Sequence, residues 1–381
     1  MKPQKICIIG DGLTGLTTAA ILGKQNIDID LYSDNKKKIQ IIDTRTTAIS
    51  ESNFQYIKST LNLSSTNFFW ACRKVKLFYQ DENKIINFLN FNEKNKKFMY
   101  IFQNQDLKKK LNKIISKKKN IKLIKKKVEA INSNDGFVTV NKKKIFYDLI
   151  ILSIGGLSNF YSRIDAGRSI KKSYDEIAIT TQIKHKTNIQ NASQFFLKEG
   201  PLAILPYKKK FFSIVWSVSN NYFNINQSNL KKILSKKLKM LLNSNKIINI
   251  GKIKSFPINL NLKIKYFKKN ILILGDGLHA IHPIAGQGFN LVLRDISKLA
   301  ELTSKTSQLG LLFKNTVMLE DFYNSRKAEN NLFGLGINLT NSFFKDRKYF
   351  TSIKKIILNN INSFGFIKKT SQTLADRGFL F

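Results

Sequence analysis

The chain has 381 residues, 43% of them hydrophobic and 24% charged, enough for two packed lobes around a large buried core. Its formal charge is +40, and 57 of the 65 basic residues are Lys against only eight Arg. No stretch reaches the roughly 18 unbroken apolar residues of a membrane-spanning helix, and Arg forks and aromatic platforms suited to nucleic acid are missing.

The Lys runs at 36–38, 108–110, 117–119, 125–127, 142–144 and 208–210 are scattered rather than gathered in one tract. With abundant Ile and Asn, they read first as the composition of an AT-rich genome on a solvated surface. Attraction to an anionic membrane is the second reading and nucleic acid the third, and charge alone does not decide between them. Cys7 and Cys72 give no disulfide framework, and Met1-Lys2-Pro3 leads straight into a strand without a signal peptide. The expected compartment is a reducing cytoplasm.

In chain order, residues 5–9 predict a short buried strand, Leu13 to Lys24 a helix, and Ile27 to Tyr32 a second strand. That is the βαβ spacing of a doubly wound sheet. Strands are expected near Lys122–Ala130 and Phe137–Val140, flanking the turn signal Asn134-Asp135-Gly136. Tyr147 to Ile154 is a continuous apolar run, as in a strand buried on both faces. Residues 176–219 alternate strand-like segments with Lys- and Asn-rich turns, predicting an antiparallel sheet. Ile271–Leu274 is another buried strand, Asn290–Leu302 opens a helix, and 314–381 is mostly helical in pattern.

Two motifs carry chemistry. The first is Gly10-Asp11-Gly12-Leu13-Thr14-Gly15, between the first strand and first helix. Gly10 permits a tight turn, Gly12 a close approach of backbone to a pyrophosphate, and Gly15 close packing of helix on strand. The helix N-terminus, with Leu13 in its first turn, offers amide hydrogens to phosphates. A ribose-binding acid belongs at the end of the second strand. Asp34 stands there, either reaching the ribose or capping the turn.

The second motif runs from Gly275 to Asn290. Asp276, directly after a strand, suits a sugar-like polyol. Pro283, Gly286, Gln287, Gly288, Phe289 and Asn290 bring backbone and a helix N-terminus against a flat ring that carries negative charge when reduced. His279 and His282 lack the Cys or carboxylate partners of a metal site and read as structural, so no metal is expected. No catalytic side chain declares itself. Trp216 reads as sheet core, with a substrate-wall role as its alternative.

The second motif resembles that of the FAD-dependent aromatic-ring hydroxylases, the para-hydroxybenzoate hydroxylase-like family. The run from His282 to Leu291, with Leu293-Arg294-Asp295, is most similar to the ubiquinone-biosynthesis branch. Arg45 to Ser50 resembles the segment whose Arg approaches the FAD pyrophosphate. Ile101 to Asn104, followed by Leu107 and Leu111, resembles a further flavin-contacting stretch. Gly200 to Pro206 with Ser213 to Trp216 is similar to the substrate-domain sheet. The resemblance covers residues 5 to about 330.

This resemblance implies a Rossmann-like FAD-binding α/β fold with an interleaved antiparallel-sheet substrate domain and a helical C-terminal region. The FAD-binding domain would comprise 1–70, 96–175 and 266–300, the substrate domain 71–95 and 176–265, and the C-terminal region 301–381. It further implies NAD(P)H as a transient reductant, O₂, and a polyprenylated phenol as substrate. The membrane would be met at the inner face of the cytoplasmic membrane, or through a quinone-biosynthesis complex. The family's Asp-Gly pair after the long central strand is replaced by Gly155-Gly156, with Asn159 where a Ser is common and Arg163 displaced. That departure keeps two alternatives open: a non-hydroxylating flavoprotein (flavin reductase or halogenase) and a scaffold subunit of a biosynthetic complex.

Overall fold

A computed structural model describes residues 3–34, 43–82, 84–92, 96–156, 160–161 and 169–345, and the single positions 369, 373 and 376. Asn159, Arg163 and the 36–38 Lys run lie outside the described residues, as does most of 346–381.

Among the described residues, one sheet has six strands. Five are parallel: Ile121–Ile124, Ile27–Tyr32, Gln4–Ile9, Leu149–Leu152 and Ile271–Ile273, in that spatial order, and Phe267–Lys268 joins the last antiparallel. The inner strands are apolar because both faces are covered: Ile6, Cys7, Ile8, Leu149, Ile150, Ile151 and Leu152 are fully buried. The Leu13–Leu22 helix packs beside this sheet and ends at Gly23, with buried residues nearly all round rather than one stripe.

The 122–130 expectation is divided in the fold. Ile121–Ile124 completes the parallel sheet, and Ala130–Asn132 belongs to a separate three-stranded sheet with Phe137–Val140 and Lys143–Phe146. The Lys125-Lys126-Lys127 run between them has no alternating apolar face to hold it in either sheet.

A second sheet of nine strands covers the cavity side of the first. Its path runs His279–Ala280, Lys254–Lys263, Ser169–His185, Phe211–Ser219, Gly200–Lys208, Ala192–Leu197, Lys74–Asp81 and Lys84–Asn92, and Ile247–Ile250 pairs with the end of Ser169–His185. One face is closed by the helices Asn220–Asn226 and Leu230–Leu242, through a core holding Phe195, Leu202, Ile214, Trp216, Leu234 and Leu238. Trp216 is fully buried there, as core. A small sheet of Thr46–Ser50, Met99–Gln103 and Trp70–Cys72 packs against the Gly200–Lys208 strand of the nine-stranded sheet.

The Gly288–Gln308 helix follows the second motif and packs against the Val317–Lys345 helix. A buried ionic cluster joins the pair. Asp295 accepts from His279 Nε2 at 2.6 Å, from Arg326 Nε at 2.7 Å and from Asn330 Nδ2 at 3.2 Å. Burial works to raise the Asp295 carboxyl, but the Arg326 guanidinium, aided by His279, outweighs it and holds the group below the usual carboxylate range. Among the described residues no helix is long and apolar enough to cross a membrane.

Candidate flavin and substrate site

A cavity of about 1090 Å³ lies between the two large sheets, at the carboxyl ends of the parallel strands. That is where doubly wound sheets bind ligands, and its size is at the upper end of the roughly 300–1,000 Å³ of small-molecule sites. Both sequence motifs reach it. Gly10, Gly12, Leu13, Asp34, Arg45, Asn104, Asp276, Pro283, Gly286, Gln287, Gly288, Phe289 and Asn290 all line it, and Gly15 does not.

The glycine turn does three separate jobs. Gly10 sits at φ +112°, where an L side chain is strained, and a Cβ there would meet the Ser153 carbonyl oxygen at 2.4 Å. A Cβ on Gly12 would meet nothing within 4 Å, so its backbone stands open to the cavity. A Cβ on Gly15 would fall 1.8 Å from the Gly10 carbonyl oxygen, which explains its place behind the wall rather than in it. The Ser153 hydroxyl fastens the turn by donating to the carbonyls of Ile9 and Gly10, at 3.0 and 3.2 Å.

Two helix N-termini face this space without side-chain caps. Neither Gly12, before Leu13–Leu22, nor Gln287, before Gly288–Gln308, makes a capping hydrogen bond. By contrast, the Glu51–Thr60 helix is capped by Ser50 and its Ser52 amide donates to Asp376 at 2.9 Å. Free amides at two helix starts suit anionic groups. Gln287 Oε1 is a buried acceptor with no protein partner, which is costly unless a ligand donates to it. These features fit a dinucleotide with a flat ring system.

The other predicted residues have their own partners. Arg45 donates from Nε and Nη2 to the two oxygens of Asp43, both at 2.8 Å, so the cation is positioned before any ligand arrives. The hydrogen bond to Asp43 pushes the Arg45 pKa further up. Burial works to raise the Asp43 carboxyl, and Arg45 overcomes it, holding the group low. Asn104 donates to Asp43 at 3.3 Å and accepts from the Thr47 hydroxyl at 2.6 Å. Asn290 acts as a bracket: its Oδ1 accepts from the Ser50 amide at 2.9 Å and from Asn53 Nδ2 at 2.8 Å. Asp34 is exposed at the cavity edge, and its neighbour Ser33 donates to Asp11 at 2.8 Å. Asp276, in the Gly275–Gly277 turn, is exposed toward the cavity. Gly155, in place of the expected Asp, lines the cavity at φ +78°.

Several participants were not legible beforehand. Glu176, in the Ser169–His185 strand, accepts from His282 Nε2 at 2.9 Å, and His282 Nδ1 accepts from the Ile284 amide at 3.2 Å. This buried pair ties the second motif to the nine-stranded sheet. Among the described residues no group of His, Cys, Asp and Glu is arranged to hold a metal. The opposite wall, with Val75, Leu77, Phe91, Ala192, Gln194, Phe196, Ala203, Leu205 and Val215, is nearly all apolar. Only the alternation along each strand marked these positions, and no motif joins them.

A glycine turn at the first strand, a carboxylate turn at the last parallel strand and an apolar sheet above them define the class of FAD-dependent monooxygenases. The p-nitrophenol 4-monooxygenase PnpA from Pseudomonas putida shares this fold; it is 14% identical with TM-score 0.80, covering 98% of this chain and 99% of its own. The squalene epoxidase family model matches residues 218–374. The ubiquinone biosynthesis monooxygenase COQ6 of Dictyostelium discoideum is 24% identical over 94% of this chain and 88% of its own length. The 3-demethoxyubiquinol 3-hydroxylase of Escherichia coli is 28% identical, over 38% of each chain. The chain is thus similar to FAD-dependent monooxygenases, among them ring hydroxylases of ubiquinone biosynthesis.

Proposed function

We propose that this protein is an FAD-dependent monooxygenase that hydroxylates the aromatic ring of a polyprenylated phenol in ubiquinone biosynthesis. The observation that carries the reading is a single cavity lined on one side by both motifs and on the other by an apolar sheet face. The activities named for the Dictyostelium and Escherichia coli relatives agree with it.

In this reading the backbone of Gly10 and Gly12 and the helix beginning at Leu13 hold the FAD pyrophosphate, with Arg45 beside it. Asp34 takes a ribose hydroxyl and Asp276 the ribityl chain, with Asn104 and Pro283 to Asn290 against the ring. The Gly288–Gln308 helix points its positive end at the side of the ring that gains negative charge. FAD held there would supply the redox chemistry of hydroxylation, with NAD(P)H as transient reductant and O₂ as co-substrate, one oxygen atom going to the ring and the other to water. The sheet face excludes water and positions the phenol. The FAD-binding domain is assigned to 1–70, 96–175 and 266–300, the substrate domain to 71–95 and 176–265, and the helical region to 301–381. The Lys excess supports a peripheral meeting with an anionic membrane, or with a quinone-biosynthesis complex there.

The test is expression in a host lacking its own ring hydroxylases, with mass spectrometry of the quinone intermediates. A product heavier by one oxygen supports the reading. Colourless protein that cannot be reconstituted with FAD refutes it.

A further inference from the structure

Gln194 stands alone in its surroundings. It lies mid-strand in Ala192–Leu197, opposite Leu77 on one side and Ala203 on the other, and Ala203 in turn lies opposite Val215. These four residues form one row across the sheet, and all four line the cavity. The strand alternates: Phe195 and Leu197 join the core under the two helices, while Ala192, Gln194 and Phe196 face the cavity. Gln194 is therefore a polar side chain in the middle of an apolar wall.

It is also unpartnered. Its side chain is buried, with the residue 8% exposed, and among the described residues the carboxamide makes no hydrogen bond to protein. The carboxamide opens onto the cavity, where a group entering the site can reach it, and Leu or Met would present an apolar surface there instead. The arrangement suits a ligand that brings a polar group to the centre of an otherwise apolar surface. A carboxamide offers both an acceptor and two donors. A phenol offers one hydroxyl on an apolar ring, which matches this pattern of one polar contact within a greasy field.

We propose that Gln194 is the residue that orients the substrate ring, its Oε1 accepting from the phenolic hydroxyl while Leu77, Ala203 and Val215 cover the ring's apolar surface. This assignment rests on the hydroxylase reading for its substrate class. It adds the point of contact that fixes which edge of the ring faces the flavin. A site built to hydrogen-bond a hydroxyl discriminates against the analogue lacking it, because the site's own polar group is then left unpaired.

The experiment compares a phenol carrying one isoprene unit with prenylbenzene, the same molecule without its hydroxyl. Binding to the FAD-loaded protein is measured by calorimetry. The wild type should prefer the phenol by about tenfold, the value of one net hydrogen bond. Gln194→Met, which keeps length and bulk, should bind both ligands alike, and so should Gln194→Leu. Val215→Ala, in the same row, should keep the preference. FAD affinity should be unchanged in both Gln194 variants. A wild type without preference, or a Gln194→Met or Gln194→Leu protein that retains it, overturns the assignment. So does a tenfold loss of FAD affinity with the phenol preference intact, because Gln194 then serves the cofactor. The readout needs no turnover. A wild type that prefers the phenol but yields no hydroxylated product leaves the contact standing and removes the hydroxylase reading alone.

Discussion

The six-stranded and nine-stranded sheets build their sides of the cavity in opposite ways. In the parallel sheet, the cavity-facing groups sit at strand ends in short stretches of sequence: 10–14, Leu274 with Asp276, 281–284 and 286–290. In the antiparallel sheet, the wall is made of alternate residues on separate strands, such as Leu77, Gln194, Ala203 and Val215, brought together only by register. Loop backbone recognises a fixed cofactor through amides and glycine geometry, which tolerates little change. A sheet face recognises by side-chain shape, which changes one residue at a time.

The difference sets the size of the expected effects. The largest should follow from cutting the ionic cluster that holds the second motif in place. Asp295→Ala strips the buried Arg326 of one of its two carboxylate partners, leaving Glu329, and should cost about 3–5 kcal/mol in urea unfolding. Because the folded carboxyl is depressed, its contribution is present above the unfolded pKa of about 3.9 and is lost as pH falls through the folded value. The gap between wild type and variant should therefore be flat above about pH 4 and close only below it. A gap that closes near neutrality would contradict the assignment.

Gly15→Val comes next. Its Cβ collides with the Gly10 carbonyl, a backbone atom that cannot move aside cheaply, so about 3 kcal/mol or more of stability should be lost together with flavin retention. Asp276→Ala removes an acceptor on the cofactor side, a loss of about 1.5–3 kcal/mol. Equilibrium dialysis should then show FAD bound about 10- to 150-fold more weakly, and unchanged affinity would refute the ribityl contact.

On the other wall, Val215→Ala should leave FAD affinity alone and weaken a prenylated phenol by about fivefold, or about 1 kcal/mol of lost apolar contact. Loss of FAD from this variant would break the division between the two walls. The smallest effect concerns the surface. Binding to anionic vesicles should fade as salt screens the Lys charges over a Debye length of about 8 Å. Turnover of a short, water-soluble phenol should hardly change. If vesicles are not bound even at low salt, the +40 charge is compositional.

The parallel-sheet lobe was legible for a physical reason. Gly10 and Gly15 are each required by a contact or a backbone angle at that one position, and Gly12 between them stands open to the cavity, so residue type and spacing go together. The strand at Gln4–Ile9 was equally plain, being apolar on both faces from Ile6 on, and Ile27–Tyr32 showed itself by Ile27, Ile29 and Leu31 alternating with two Asp. The expected strand across 122–130 failed because its first half follows the parallel sheet and its end follows a hairpin. Apolar pattern does not reveal a change of partner. Glu176 gave no signal at all: it pairs with a residue 106 positions away, at a register shift in its strand that periodicity alone could not place. Asn290, expected to bind the cofactor, lines the cavity, but its hydrogen bonds go to Ser50, Asn53 and backbone, which braces its helix start.

The strand order of the parallel sheet has a consequence in time. Gln4–Ile9 is central, yet its neighbour Leu149–Leu152 and the next strand Ile271–Ile273 arrive far later in the chain. At about 5–20 residues per second, the ribosome needs on the order of 15–60 s after making Gly10 to deliver Asn290. Throughout that interval the glycine turn exists without its floor or its second helix. Cofactor loading is thus deferred until synthesis has passed both motifs, and a cell short of flavin would accumulate finished chains with an unfilled seam between their two sheets rather than stalled fragments.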